Sequence, residues 1–190
     1  MRLIVGLGNP GPRHDQTRHN LGFQLLDRLV PPSEWNRWKD LGEFARGARG
    51  DTHFYLVRPL TYMNLSGRMV RDFAQFHRIG PEEALVCYDD FFLPLAALRI
   101  RRGGSAGGHN GMQSVIAEMG TEDIARIRLG IGPLPPGEDP ARFVLGRLRA
   151  DEKTALDRGL ARACEAIEAI LQDGIEAAMN RYNAPAVPDE

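Results

Sequence analysis

A chain of 190 residues, 43% apolar and 26% charged, can bury one ordinary core and is neither disordered nor fibrous in composition. A formal net charge of −1 excludes a uniformly basic nucleic-acid binder, and no apolar run is long enough to span a bilayer. The N-terminal residues lack a signal peptide's charged and apolar regions, so a cytoplasmic protein is expected; Cys87 and Cys164 match no ligand spacing and read as reduced, small apolar residues.

In chain order, residues 2–7 read as a buried strand of branched apolar residues, ended by Gly8-Asn9-Pro10-Gly11. A helix is expected over about 20–30, with Leu21, Leu25 and Leu29 on one face and Pro31-Pro32 as its stop. Residues 54–57 read as the next strand. Trp35 and Trp38 fall before it, and the pattern leaves open whether they are packed or exposed. Asn64 or Ser66 is placed to cap a helix with the apolar stripe Met69, Val70, Phe73 and Phe76, ended by Gly80-Pro81. Residues 84–88 form a strand that delivers Asp89 and Asp90 at its carboxyl end. The short strand 97–101 follows so closely that an antiparallel pair with it is expected, with Arg99 and Arg101 on the wet face. A glycine-rich stretch at 103–111 leads into a helix through Val115, Ile116 and Met119. Residues 124–129 alternate again, with Arg126 and Arg128 on the polar side. Residues 133–140 read as loop, a long amphipathic helix covers 151–172, and a shorter one follows Gly174. The proline-rich tail from 184 reads as loose. Strands alternating with helices imply one α/β domain over 1–183: a mixed, mostly parallel sheet with helices on both faces.

Gly6-Leu7-Gly8-Asn9-Pro10-Gly11 is a literal dinucleotide-binding pattern after a strand, but such a turn must open directly into a helix. Here Pro10 and Pro12 bracket the third glycine and no helix begins until residue 20. What remains is a rigid turn holding Asn9 at the carboxyl edge of the sheet, where open α/β folds bind ligands. His19, just before a helix, is by itself as easily a packing residue as a catalyst. Asp89, also at a strand's carboxyl end, would fix its tautomer and stabilise its protonated form; the plain alternative makes Asp89 and Asp90 turn residues. No nucleophile elbow, zinc spacing or phosphate-binding lysine is present, so a His–Asp pair would activate water directly, without metal or cofactor. Asn64 and Asn110 stand at turn-to-helix junctions, where each could serve only as a cap. With Asn9 they would instead supply neutral donors and acceptors to an amide- and ribose-bearing substrate. Residues 99–149 carry eight arginines, five acids and no lysine, a local positive patch suited to phosphates or simply a solvated face.

Together, Gly-Leu-Gly-Asn-Pro-Gly (6–11), Thr-Arg-His-Asn (17–20), Met-Asn-Leu-Ser-Gly (63–67) and Gly-Gly-His-Asn-Gly (107–111) closely resemble the signatures of bacterial peptidyl-tRNA hydrolases, in family order and spacing. Tyr-Asp-Asp…Leu-Pro (88–94) and Arg-Ile-Arg-Leu-Gly-Ile-Gly (126–132) fit as well. The resemblance implies a monomeric enzyme that hydrolyses the ester between a peptide and the terminal ribose of tRNA. It assigns His19 as general base, Asp89 as its support and Asn9 to discrimination of N-blocked peptidyl-tRNA. It also assigns Tyr62, Asn64 and Asn110 to the tRNA end or the peptide, and Arg101 with Arg128 to a tRNA phosphate. The chain departs from the family at His14, where a substrate-binding tyrosine is usual. It departs again at Phe92, where the second acid of Asp-Asp-Leu-Asp-Leu-Pro is usual, and at Leu95-Ala96, which lack the glycine that follows that proline. An RNA-binding protein on the same fold that has lost catalysis is the alternative, and a nucleotide-dependent enzyme the third reading.

Overall fold

The structure is a computed structural model describing residues 1–184. Its elements are β1 (Leu3–Gly6), α1 (Leu21–Leu26), β2 (Asn36–Trp38), β3 (Gly42–Arg49), β4 (Thr52–Pro59), α2 (Ser66–His77) and β5 (Ala84–Pro94). They continue with β6 (Leu98–Arg101), α3 (Asn110–Met119), β7 (Ala125–Gly132), α4 (Pro140–Val144), α5 (Ala150–Asp173) and α6 (Ile175–Tyr182). All seven strands join one sheet in the order β2-β3-β4-β1-β5-β7-β6. Its centre is parallel, β4 to β1 to β5 to β7. Its margins are antiparallel, through β2–β3, β3–β4 and β6–β7. The expected mixed sheet with helices on both faces therefore forms, though it is parallel only at its centre: among the described residues three pairings are parallel and three antiparallel. The tail expected from 184 lies, beyond Ala184, outside the described residues.

The alternation of the central strands sends side chains to two cores. On one face Leu21, Leu25 and Leu26 of α1 and Leu156, Leu160 and Ile167 of α5 cover Ile4, Leu85 and Ile127. On the other, Met69, Val70 and Phe73 of α2 and Met112 and Val115 of α3 cover Leu3, Val5 and Val86. Gly6 and Gly22 let β1 and α1 touch through their backbones: a Cβ on Gly6 would lie 2.3 Å from the Gly22 carbonyl oxygen, and one on Gly8 2.7 Å from the Phe23 ring. The first two glycines of the false dinucleotide motif thus serve strand-to-helix packing.

Four expectations change. The hairpin β3–β4 and the short β2 were absent from the sequence reading, although Gly50-Asp51 joins two runs in register from Arg49↔Thr52. The strand expected to pair with β5, β6, is antiparallel to β7 instead. Helix α1 stops at Leu26 because the N–H groups of Arg28 and Leu29 bond back three residues, and Pro31 disfavours helix at Val30. Phe76, expected in the buried stripe of α2, is exposed at its margin beside Trp38. Trp38 packs on α2 and donates its indole N–H to Asp72 at 2.8 Å, whereas Trp35 packs against the other core beneath the Arg58 guanidinium.

Candidate active site

Two anchors place His19. It lies in a single 3-10 turn, Arg18–Asn20, between the end of β1 and α1. On one side the Asn20 amide clamps Asn9, accepting its backbone N–H at 2.8 Å and donating to its carbonyl at 2.9 Å. On the other the buried Arg18 guanidinium donates to both carboxylate oxygens of Glu152 at 2.7 Å and to the Arg147 carbonyl. The histidine is thereby fixed against β5. Its Nδ1 lies 2.9 and 3.0 Å from the two oxygens of Asp89, which is 2% exposed. An ionised carboxylate can only accept, so Nδ1 carries the hydrogen and Nε2 is the basic nitrogen. Nε2 has no hydrogen-bond partner among the described residues and is not among the buried unpartnered atoms.

Asp89 serves a second histidine. His109 is the N-cap of α3, its Nδ1 accepting the Met112 N–H at 3.1 Å, so its hydrogen sits on Nε2 and points to Asp89 at 3.2 Å. Burial alone would raise the Asp89 carboxyl, but the charge of His19 and the hydrogen bonds from His109 and His19 outweigh it and hold the group well below the usual carboxylate range. The ligand-capable atoms of His19, Asp89 and His109 lie within 4.8 Å of one another. Both histidine nitrogens facing Asp89 carry hydrogens, and the remaining nitrogen of His109 is committed to a helix cap, so this set reads as a carboxylate that orients two imidazoles rather than a metal site. Sequence reasoning passed over His109. Its one local signal, a place directly before a helix, is equally that of a plain cap.

An open cleft of about 610 Å³ begins at His19 and Asp89 and takes in Asn110, Arg101 and Arg128. Its walls are the end of β5, the glycine-rich loop 103–108 and α4. Asn110 is exposed and makes no side-chain hydrogen bond among the described residues, since His109 does the capping. Asn64 likewise caps nothing: Leu65 is the N-cap of α2, and the Ser66 hydroxyl donates to the Met63 carbonyl. The expectation that Arg101 and Arg128 are both free in solvent holds only for Arg101. Arg128 is half-buried because the Asp90 carboxylate, on the adjacent strand, accepts its Nε–H. Arg126, expected on a wet face, is 2% exposed and donates to the carbonyls of Ile124, Ser105 and Glu122. The loop 103–108 covers that face.

Tyr62 and Asn64, both exposed, do not line the cleft, and neither does Asn9. They form a neighbouring cluster, because the Asn9 carbonyl oxygen Oδ1 accepts the Met63 N–H at 3.0 Å and so ties the first loop to the turn before α2. His14 does not line the cleft either, and its Nε2 accepts from Arg13 at 2.8 Å. Partial burial and then the Arg13 charge lower its pKa, which keeps it neutral near pH 7.

The model of the peptidyl-tRNA hydrolase family matches residues 3–190. The chain belongs to the peptidyl-tRNA hydrolase family. The peptidyl-tRNA hydrolase of Symbiobacterium thermophilum is 49% identical over 96% of this chain and 98% of its own length. That of Elusimicrobium minutum is 46% identical over 96% and 99%. A crystal structure of peptidyl-tRNA hydrolase from Acinetobacter baumannii superposes with a TM-score of 0.88 at 34% identity, covering 97% of this chain and 95% of that one. Against the peptidyl-tRNA hydrolase pattern, the departure after Pro94 leaves the turn intact. Ala96 adopts the left-handed conformation (φ 64°) that a glycine takes freely, and its N–H donates to the Gly130 carbonyl at 2.9 Å.

Proposed function

We propose that this chain hydrolyses the ester between a peptide and the terminal ribose of tRNA, with His19 as the base that activates water. The observation that carries the reading is the His19–Asp89 pair at the end of a cleft whose walls hold Arg101 and Arg128. Nε2 of His19 takes a proton from water as the water oxygen attacks the ester carbonyl, and Asp89 stabilises the imidazolium that forms. The Nε2–H of His109 keeps the carboxylate ionised and aimed. Asn110, with no internal partner for its amide, is placed to donate to the developing oxyanion. The ribose oxygen leaves with the proton from His19, and peptide acid and free tRNA result. An ester is reactive enough that a positioned base and oxyanion donors can suffice.

Asn9, Tyr62 and Asn64 lie on the far side of His19 from the arginines and would receive the N-blocked peptide, with His14 at the margin of that cluster. Arg101 and Arg128 would receive tRNA phosphate. No helix of the described residues is long and apolar enough to cross a membrane, and a cytoplasmic monomer acting in tRNA recycling is the reading we adopt. Nothing favours the inactive RNA-binding alternative, since the base, its carboxylate and an open Nε2 are all in place.

His19→Ala tests the reading with N-acetyl-aminoacyl-tRNA. Turnover is expected to fall by about 10²- to 10⁴-fold with KM little changed. Near-normal turnover would remove His19 from the mechanism.

A further inference from the structure

The end of β5 carries an aromatic side chain that the fold leaves mostly in solvent. Phe92 is 70% exposed, lines the mouth of the cleft, and stands where the family pattern has an acid. Its exposure is not looseness. The Phe92 N–H donates to Asp90 Oδ1 at 2.8 Å, and its ring lies 4.5 Å from that of Phe91, which is itself packed against the core. The other oxygen of Asp90 accepts the Nε–H of Arg128. One buried carboxylate therefore holds both a cationic side chain and the backbone that carries the aromatic ring, while the ring itself rests on Phe91.

A held aromatic ring beside arginines is the arrangement that binds unpaired nucleotides: cations track the phosphates and the ring stacks on a base. Position supports the same occupant. Phe92 is three residues along the chain from Asp89, at most about 10 Å when fully extended, and the irregularity between Asp90 and Pro94 shortens that span. That is a reach suited to nucleotides next to the one carrying the ester. The peptide would leave His19 in the other direction, towards Asn9 and Asn64, which do not line this cleft.

We propose that Phe92 is a stacking platform for an unpaired nucleobase near the 3′ end of the tRNA, its backbone held by the Asp90 carboxylate that also aligns Arg128 and its ring backed by Phe91. The inference rests on the proposed function and adds a residue that selects the nucleic-acid half of the substrate. Because stacking needs only a π-face, the platform accepts any base and discriminates against its absence.

The test is a double-mutant cycle between protein and substrate. N-acetyl-aminoacyl-tRNA is prepared intact, and with an abasic ribose at each unpaired position preceding the terminal adenosine in turn. Hydrolysis is measured for the wild type, Phe92→Ala and Phe92→Trp. Phe92→Ala is expected to raise KM for the intact substrate about 5- to 150-fold, the range of one base–aromatic stack, with Phe92→Trp near the wild type. At one position the abasic substrate should be impaired with the wild type and no further impaired with Phe92→Ala. Penalties that multiply independently at every position would overturn the platform. So would a Phe92→Ala defect that varies with the amino acid esterified to the tRNA while ignoring the abasic sites, which would place the ring against the peptide. Failure of the wild type to cleave the intact substrate would instead sink the proposed function. Because Phe92 is exposed, both variants are expected to fold as the wild type does, and circular dichroism checks this.

Discussion

The Asp89 carboxyl would rise in pKa from its burial alone; the His19 charge and the hydrogen bonds from His109 and His19 reverse that and hold it low. A depressed native pKa gives stability that is complete above the unfolded-state value of 3.8 and is lost as pH falls towards the native one. Asp89→Asn has no such contribution to lose. The urea midpoints of wild type and variant should therefore converge as pH is lowered from about 5 to about 3. A gap that stays constant across this range would show that the carboxylate is not held ionised by its neighbours. The pair itself was legible in the sequence, because both residues sit where a strand or turn ends and so share one sheet edge. The part played by His109 was not. Its two nitrogens serve a helix terminus and a strand end that meet only when β5 and α3 are packed, and nothing local distinguishes that from a plain cap.

Between elements, the link with the largest consequence is the one from the His19 turn to α5. Glu152 accepts two of the Arg18 hydrogen bonds and, at 2.8 Å, the Arg149 N–H at the start of α5, so a single carboxylate caps a 24-residue helix and holds the His19 turn. Burial alone would raise the Glu152 pKa, but the Arg18 and Arg149 hydrogen bonds lower it, and the pair is ionised at neutral pH. Breaking a buried ion pair from one side leaves its partner's charge uncompensated, at a cost of about 3–5 kcal/mol. Glu152→Gln should lose stability of that order in urea unfolding, and a loss below about 1 kcal/mol would mean the pair behaves as a solvated surface bridge. Neither partner stood out in the sequence: an arginine inside Thr-Arg-His-Asn and a glutamate in a helix's first turn, more than 130 positions apart, carry no pattern that joins them. Arg126 shows the same limit. Strand alternation correctly put it opposite Ile127, but alternation cannot tell whether a face is open, and the loop 103–108 closes over it. Similarly β3 was missed because Gly42–Arg49 mixes small and charged residues, as a strand near the sheet margin can.

Across the whole molecule, a net charge of −1 coexists with four arginines on one face of β6 and β7, where Arg99 opposes Arg128 and Arg101 opposes Arg126. Their engagement differs, and that decides which of them can test nucleic-acid binding cleanly. Arg126 is spent on backbone carbonyls and Arg128 on Asp90, so removing Arg128 would also strand a buried carboxylate and disturb the Phe92 rim. Arg101 is exposed, lines the cleft, and has no acidic partner among the described residues. A phosphate it neutralises releases condensed counterions, and the affinity then falls with salt in proportion to the number of such contacts. Arg101→Ala is therefore expected to raise KM for full-length N-acetyl-aminoacyl-tRNA at low salt. It should also reduce the log–log slope of kcat/KM against salt by about 0.7–0.9, the contribution of one contact. An ester of adenosine alone offers no remote phosphate, and its hydrolysis by the variant should match the wild type at every salt concentration. If both substrates lose equally and the slope is unchanged, Arg101 supports the cleft wall rather than the tRNA backbone.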